Sequence, residues 1–297
     1  MRLAVLFLSF LLAALSMAET EIKISTLYPP GSDAVRSLTE LSNSLKEKTA
    51  GEVVLKVYPG GVMGDDKTVM RKIRVGQLQG ALVSSGTLDL LDADLNGLSK
   101  PFSYDNLEQV YQQRLSYDSV VSDKLKSLKW YGFGPLDGGF SYLMSKNQIN
   151  NMEDIRQSKL WLPNSDQIQQ ISSELDIDYL VMNIGDVLTG LDTGAIDTLI
   201  SPPSAALALN WHSRFQYLND TPVLYTWGIL IVPERALARL DVTTRNIVTS
   251  ELEQWSKNLD ARSRVANQQA LKAIQQLLSP INFDQNDLDR IRLSQTE

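Results

Sequence analysis

Little in this sequence can act as a nucleophile, a general base or a soft metal ligand. His212 is the only histidine and cysteine is absent. No His-rich zinc or iron site can therefore be assembled, and a Ser-His-Asp triad would have to rest on that one imidazole. No Gly-x-Ser-x-Gly elbow occurs. In NWHSRF, residues 210–215, the ring reads more simply as the packing partner of an indole. GGVMGDDKT, residues 60–68, is a phosphate loop only superficially. It lacks the Gly-x4-Gly-Lys-Ser/Thr spacing that wraps backbone N–H groups around phosphates. Asp65 and Asp66 read as helix N-terminal caps in preference to cation ligands. The 35 acidic residues contain no pair that spacing alone singles out for glycoside cleavage. The expectation is a protein that is not an enzyme and carries neither metal nor cofactor.

What the sequence does offer is material for holding a solute. KLWLPNSD, residues 159–166, is a short apolar strand with an indole in its middle and a proline at its end. Trp161 there is either core filler or the wall of a binding site, since an indole presents a flat apolar face and one N–H donor. Hydroxyl pairs end other strands, as in ALVSSG with Ser84 and Ser85.

The elements that would position these residues follow an α/β pattern. Glu21 to Leu27 alternates and is β-branched, then stops at Tyr28-Pro29-Pro30-Gly31. A helix follows, with Ser32 or Asp33 as cap and apolar positions Val35, Leu38, Leu41 and Leu45. EVVLKVYPGG gives a second strand. Asp65 and Asp66 open a helix with Val69, Met70 and Ile73 on one face, and GALVSSG is the next strand. This alternation predicts a largely parallel sheet. The phrase RVGQLQGALVSSG, from Arg74, is echoed by LDTGAIDTLISPP, from Leu191. Each has a helix end, a glycine suited to a left-handed C-cap, and an apolar strand. The echo predicts two similar lobes, with the carboxyl ends of their strands facing one another across a cleft. From Val242 to Leu278 neither proline nor glycine interrupts a helical pattern. It reads either as one helix about 50 Å long that braces both lobes or as two helices broken near Asp260 to Arg264.

Arg2, an apolar run from Leu3 to Leu15, and small residues at Ser16 and Ala18 read as a secretory signal over residues 1–18, cleaved after Ala18 and too short for a stable membrane anchor. Without cysteine there is no lipoprotein attachment. The expected location is periplasmic, and no later stretch is long and apolar enough to span a bilayer. A net charge of −7 argues against nucleic acid, whose binding needs a basic surface that releases counterions.

Four stretches together resemble the periplasmic receptors of TRAP transporters, the DctP-like group: YPGGVMGDDKTVMRKIRVGQLQGALVSSG, NMEDIRQSKLWLP, GDVLTGLDTGAIDTLISPP and LNWHSRFQYLNDTPVLYTWGILIV. The likeness runs over nearly all of the sequence after the leader. It implies a two-lobe periplasmic-binding-protein fold, a Venus flytrap with a long bracing C-terminal helix. Lobe 1 would comprise residues 19–140 plus about 226–255, and lobe 2 residues 141–225 plus about 256–297. The resemblance further implies capture of a small-molecule solute by lobe closure and delivery to TRAP membrane permease subunits, which handle the coupling ion. Ligand must then touch both lobes to stabilise the shut state.

Many receptors of this kind hold a ligand carboxylate with an arginine in a K-I-R-V-P-like strand and a helper in a G-F-R-like strand. Here those positions are Trp161 and Ser141, so both cations are missing. Nothing uncharged replaces a bidentate guanidinium–carboxylate pair. The same alignment and the strand-end rule add Tyr28, Pro29, Ser84, Ser85, Phe102, Met182, Asn183, Ser201, Trp211 and Trp227 as ligand-binding candidates. Aromatic surface with hydroxyl donors suits an organic acid with a substantial apolar or aromatic body, or a neutral amphiphile. Arg71, Arg74, Arg114 and Lys129 are possible substitutes for the lost charge anchor. A sensor that presents ligand for signalling and an exported hydrolase are the alternative functions.

Overall fold

The computed structural model describes residues 19–163 and 166–294, and the leader expected over residues 1–18 lies outside them. Strand β1 (Thr20–Thr26) pairs in parallel with β2 (Val53–Tyr58) and β3 (Gly80–Ser84). Helix α1 (Asp33–Lys48) and helix α2 (Asp66–Arg74) make the crossovers. Ser32 caps α1 by accepting from the Val35 amide, and the expected stripe of Val35, Leu38, Leu41 and Leu45 is buried. Gly76 and Gly194, the glycines of the echoed phrase, both adopt left-handed φ, 79° and 71°. That conformation is one side chains resist and glycine adopts freely.

The sheet is mixed, which departs from the largely parallel one expected. Helix α3 (Leu107–Ser127) leads into β4 (Trp130–Ser145), a strand of 16 residues. Strand β8 (Leu224–Pro233) lies antiparallel between β3 and β4. Strand β4 pairs with β8 through Ser141 and from Tyr142 onward with β6 (Thr198–Ser201), again antiparallel. Beyond it, β5 (Leu160–Trp161) runs parallel to β6, while β7 (Tyr217–Asn219) joins β4 and β9 (Ser279–Ile281). Two long strands that return across the molecule must oppose the βαβ strands they meet. Local alternation is silent about that reversal.

Helices α4 (Met152–Gln157), α5 (Asp166–Glu174), α6 (Val187–Thr193) and α7 (Pro203–Ala208) come between β4 and β8 in the chain. After the short α8 (Glu234–Leu237), helix α9 (Val242–Leu277) runs 36 residues unbroken, and α10 (Gln285–Ser294) ends the described chain. Asp241 caps α9 through the amides of Thr243 and Thr244. Val248, Leu252, Trp255 and Leu259 enter the apolar cluster of β1, β2 and α1, where the Trp255 indole donates to Ser37 Oγ at 2.9 Å. Farther along, α9 packs on α7. One helix therefore braces both lobes.

Leu38 is fully buried in the first-lobe cluster. Leu38→Ala is expected to destabilise folding by about 3 kcal/mol, lost transfer energy plus a residual cavity, read as a lower urea midpoint at unchanged slope.

Candidate ligand-binding cleft

Each candidate has defined partners in the structure. Trp161 ends β5. Its indole is 4% exposed, packs edge-on against Trp211 with ring centroids 5.4 Å apart, and donates its N–H to the Met182 carbonyl at 3.2 Å. The donor is thus already satisfied, and Trp161 and Trp211 both belong to an apolar cluster that also contains Val83 and Leu88 of the first lobe. Helix α5 touches the 3-10 turn Ser85–Leu90. The lobes meet here.

On the first lobe, Tyr28 follows β1 and its amide donates to Thr26 Oγ1 at 3.2 Å. About a third of Tyr28 is exposed, yet its hydroxyl end is closely packed, 3.3 Å from where a Cβ on Gly228 would lie. Burial and the Asp137 charge raise its pKa. Pro29, beside it, is half-buried. Exposed Ser84 is within 3.4 Å of the Thr87 hydroxyl, whereas Ser85 is buried against Ser99 Oγ at 3.0 Å.

Ser141 is buried on β4, one residue before the Tyr142–Ser201 pair, and Ser201 Oγ donates to the Pro202 carbonyl at 3.3 Å. Met182 sits under Gly190 through its sulfur. Asn183 is exposed and bonds Asp186 at 3.4 Å. Trp227, on β8, packs edge-on with Tyr117 at 6.4 Å and its buried indole N–H has no partner among the described residues. Phe102 stands apart: its ring packs with the separate second-lobe cluster around Leu143 and Ile155, and its amide donates to the Val223 carbonyl at 2.7 Å.

Two readings of charged residues need correction. Asp65 is the cap of α2, accepting from Thr68 N at 2.8 Å, but Asp66 is not. Its carboxylate turns inward and takes the Thr87 hydroxyl, beside a seam lined by Ser25 and Thr26 that is too narrow for water. Burial raises the Asp66 pKa, opposed by the Thr87 bond and aided by Asp65. Ser25, buried in the same seam, has a hydroxyl with no partner among the described residues. Both acids look alike in sequence; only the direction of the side chain separates them. Arg114, in turn, cannot serve as a ligand anchor. Its guanidinium is spent on Asp118, Asp260, Tyr225 and the Pro135 carbonyl. Arg71 bonds Thr68 and Lys129 approaches Glu234.

His212 Nδ1 lies 3.1 Å from the Ala206 carbonyl oxygen, which fastens the turn after α7. Among the described residues no acid or histidine cluster could hold a metal ion, and no helix is long and apolar enough to cross a membrane. A cavity of about 350 Å³ lies at the opposite end of β1, among Glu19, Gln79, Arg235 and Arg239, far from these strand ends.

A mixed sheet carrying two long antiparallel strands and spanned by one 36-residue helix is the frame on which known proteins can be compared. A profile of bacterial extracellular solute-binding proteins, family 7, matches residues 24–294. The chain belongs to that family, the DctP family, whose members bind substrates and do not transform them. It is similar to the sialic acid-binding periplasmic protein SiaP of Vibrio cholerae, 21% identical over 98% of this chain and 91% of that protein. It is also similar to the C4-dicarboxylate-binding periplasmic protein DctP of Rhodobacter capsulatus, 21% identical over 90% of this chain and 81% of that protein. Among solved structures, a TRAP periplasmic solute binding protein from Sulfitobacter with bound β-D-galacturonate superposes with a TM-score of 0.81, at 17% identity over 92% of each chain. One from Sulfurospirillum deleyianum with bound succinate gives 0.80, at 16% identity over 93% of this chain and 92% of the other. At such identities the structural likeness establishes the fold.

The buried acid gives a pH test. With its folded pKa raised, Asp66 binds a proton in the native state before the unfolded chain does, so its burial weakens folding as pH rises through that folded pKa. Asp66→Asn is expected to melt higher than the parent at neutral pH. The difference should shrink as pH is lowered toward the ordinary carboxylate range, as followed by thermal unfolding across pH.

Proposed function

We propose that this chain is the extracytoplasmic receptor of a TRAP-type secondary transporter. Residues 1–18 export it to the periplasm. Residues 19–140 with about 226–255, and 141–225 with about 256–297, form the lobes that shut on a solute and present it to the membrane permease. The solute is an organic acid with a substantial apolar or aromatic body.

The observation that carries the ligand class is the Trp161–Trp211 pair at the end of β5, taken with an Arg114 whose donors are all engaged by the protein. When the lobes part, those rings offer flat apolar surface. Polar recognition falls to Ser84, Ser141, Ser201, Asn183 and Tyr28. Met182, Ser85, Pro29 and Trp227 would form the supporting layer, from which Phe102 stands apart. Related receptors were solved with D-glucuronate, orotic acid and L-malate, so an acid is the natural class. The indoles favour the bulkier members of that class.

Native mass spectrometry of protein purified from the periplasm, followed by thermal shift with uronates, orotate, aryl acids and succinate, tests this reading. A ligand at 100 times its Kd stabilises by about 2.7 kcal/mol, and the bulky acids should give that shift while succinate does not. Trp161→Ala is expected to weaken binding by at least about tenfold, the loss of roughly 1.4 kcal/mol of stacking. Tight binding of succinate, or no shift with any acid, overturns the ligand class.

A further inference from the structure

Strand β4 pairs with β8 through Ser141 and with β6 from Tyr142 onward, and within its ladder with β8 the register slips twice, between Phe133 and Leu136 and between Asp137 and Gly139. Backbone groups in a buried stretch without ladder partners must be satisfied some other way. Side chains supply the bonds. The Pro135 carbonyl accepts from Arg114 Nη2 at 2.8 Å. The Asp137 amide donates to Asp260 Oδ1 at 2.8 Å, and its carbonyl accepts from Asn267 Nδ2 at 3.2 Å. The Gly139 carbonyl accepts from Thr226 Oγ1 at 2.9 Å.

These side chains are themselves cross-linked. Arg114, 5% exposed, also donates to Asp260 Oδ1 at 2.9 Å. The other Asp260 oxygen takes Arg264 at 2.8 Å, and the Arg264 guanidinium lies 4.1 Å from the Tyr111 ring centroid. The Asp137 carboxylate accepts from Asn267 at 2.8 Å and from the Tyr225 hydroxyl at 3.0 Å. Along α9, Leu259 still packs in the first-lobe cluster, while Ala270 and Ile274 are buried farther along, on the stretch that meets α7. Asp260, Arg264 and Asn267 occupy the interval between. Gly139, at φ 75°, lets the strand pass within reach of Asn267, which a Cβ would meet at 3.1 Å.

We propose that this cluster is the pivot about which the lobes turn, and that Asp260 and Asn267 are positioning residues that set the resting angle between them. A ladder bond holds two strands in one register. A side-chain donor or acceptor can follow a backbone group through a change of bend, which is what a hinge requires of the few residues that absorb the motion. The purpose of that motion rests on the receptor reading above, but the pivot is measurable with no ligand present.

The chain has no cysteine, so Val62→Cys on the first lobe and Val181→Cys on the second, 70% and 53% exposed, place two spin labels cleanly. Pulsed dipolar spectroscopy then gives the interlobe distance distribution of the ligand-free protein. Asp260→Asn and Asn267→Ala are each expected to shift its mean or widen it. Leu38→Ala, destabilising but remote from the pivot, should leave it unchanged. Should Asp260→Asn fail to fold, Asn267→Ala carries the test. An unchanged distribution in the folded variants, the same widening in Leu38→Ala, or unfolding of both pivot variants overturns the assignment. Failure to find a solute sinks the receptor reading and leaves this distance result standing.

Discussion

Strand β4 slips twice in its register against β8, and the ladder bonds it gives up there govern the middle of the molecule. A buried amide or carbonyl left unpaired costs about 1–3 kcal/mol, and several such groups fall in the six residues from Gly134 to Gly139. Arg114, Asp260 and Asn267 answer them from two helices. That requirement explains why a charged cluster sits where apolar packing would otherwise be expected. It also explains why the longest helix passes close to β4 there. The Arg114–Asp260 pair is valuable less for its Coulombic attraction, which desolvation largely offsets, than for presenting donors and acceptors where the strand needs them.

The cleft has a different logic. Its aromatic side chains are packed against each other, and its hydroxyls are mostly engaged with near neighbours. Asp66 is the exception. It is a carboxylate drawn inward at the start of α2, with the Ser25 hydroxyl, partnerless among the described residues, in the same seam. The helix N-terminus favours the charge while burial opposes it.

Much of the fold was legible because it rests on local periodicity. The stripe Val35, Leu38, Leu41 and Leu45 and the glycines at 76 and 194 follow from rules acting within a few residues. The unbroken run after Val242 was long enough to predict a brace, and the structure decides for one helix over two. The stripe along that helix was harder to read. Val265 is apolar yet exposed, while at the crossing the residues that reach β4 and its neighbours are Asp260, Arg264 and Asn267. An apolar count cannot see a polar inward face. The antiparallel return of β4 and β8 was missed for a similar reason, since strand direction is a property of pairing and not of the strand's own residues.

The amino-acid sequence by itself determined the alternation of strands and helices, the lack of catalytic and soft metal-binding side chains, and the indole at Trp161, all of which depend on residue type and short spacing. Tertiary structure alone decided that Asp66 turns inward while Asp65 caps, that Trp161 gives its N–H to Met182, and that Arg114 answers Pro135 and Asp260. Those outcomes join segments 20 to 150 residues apart, and which distant group meets a given donor is settled by packing.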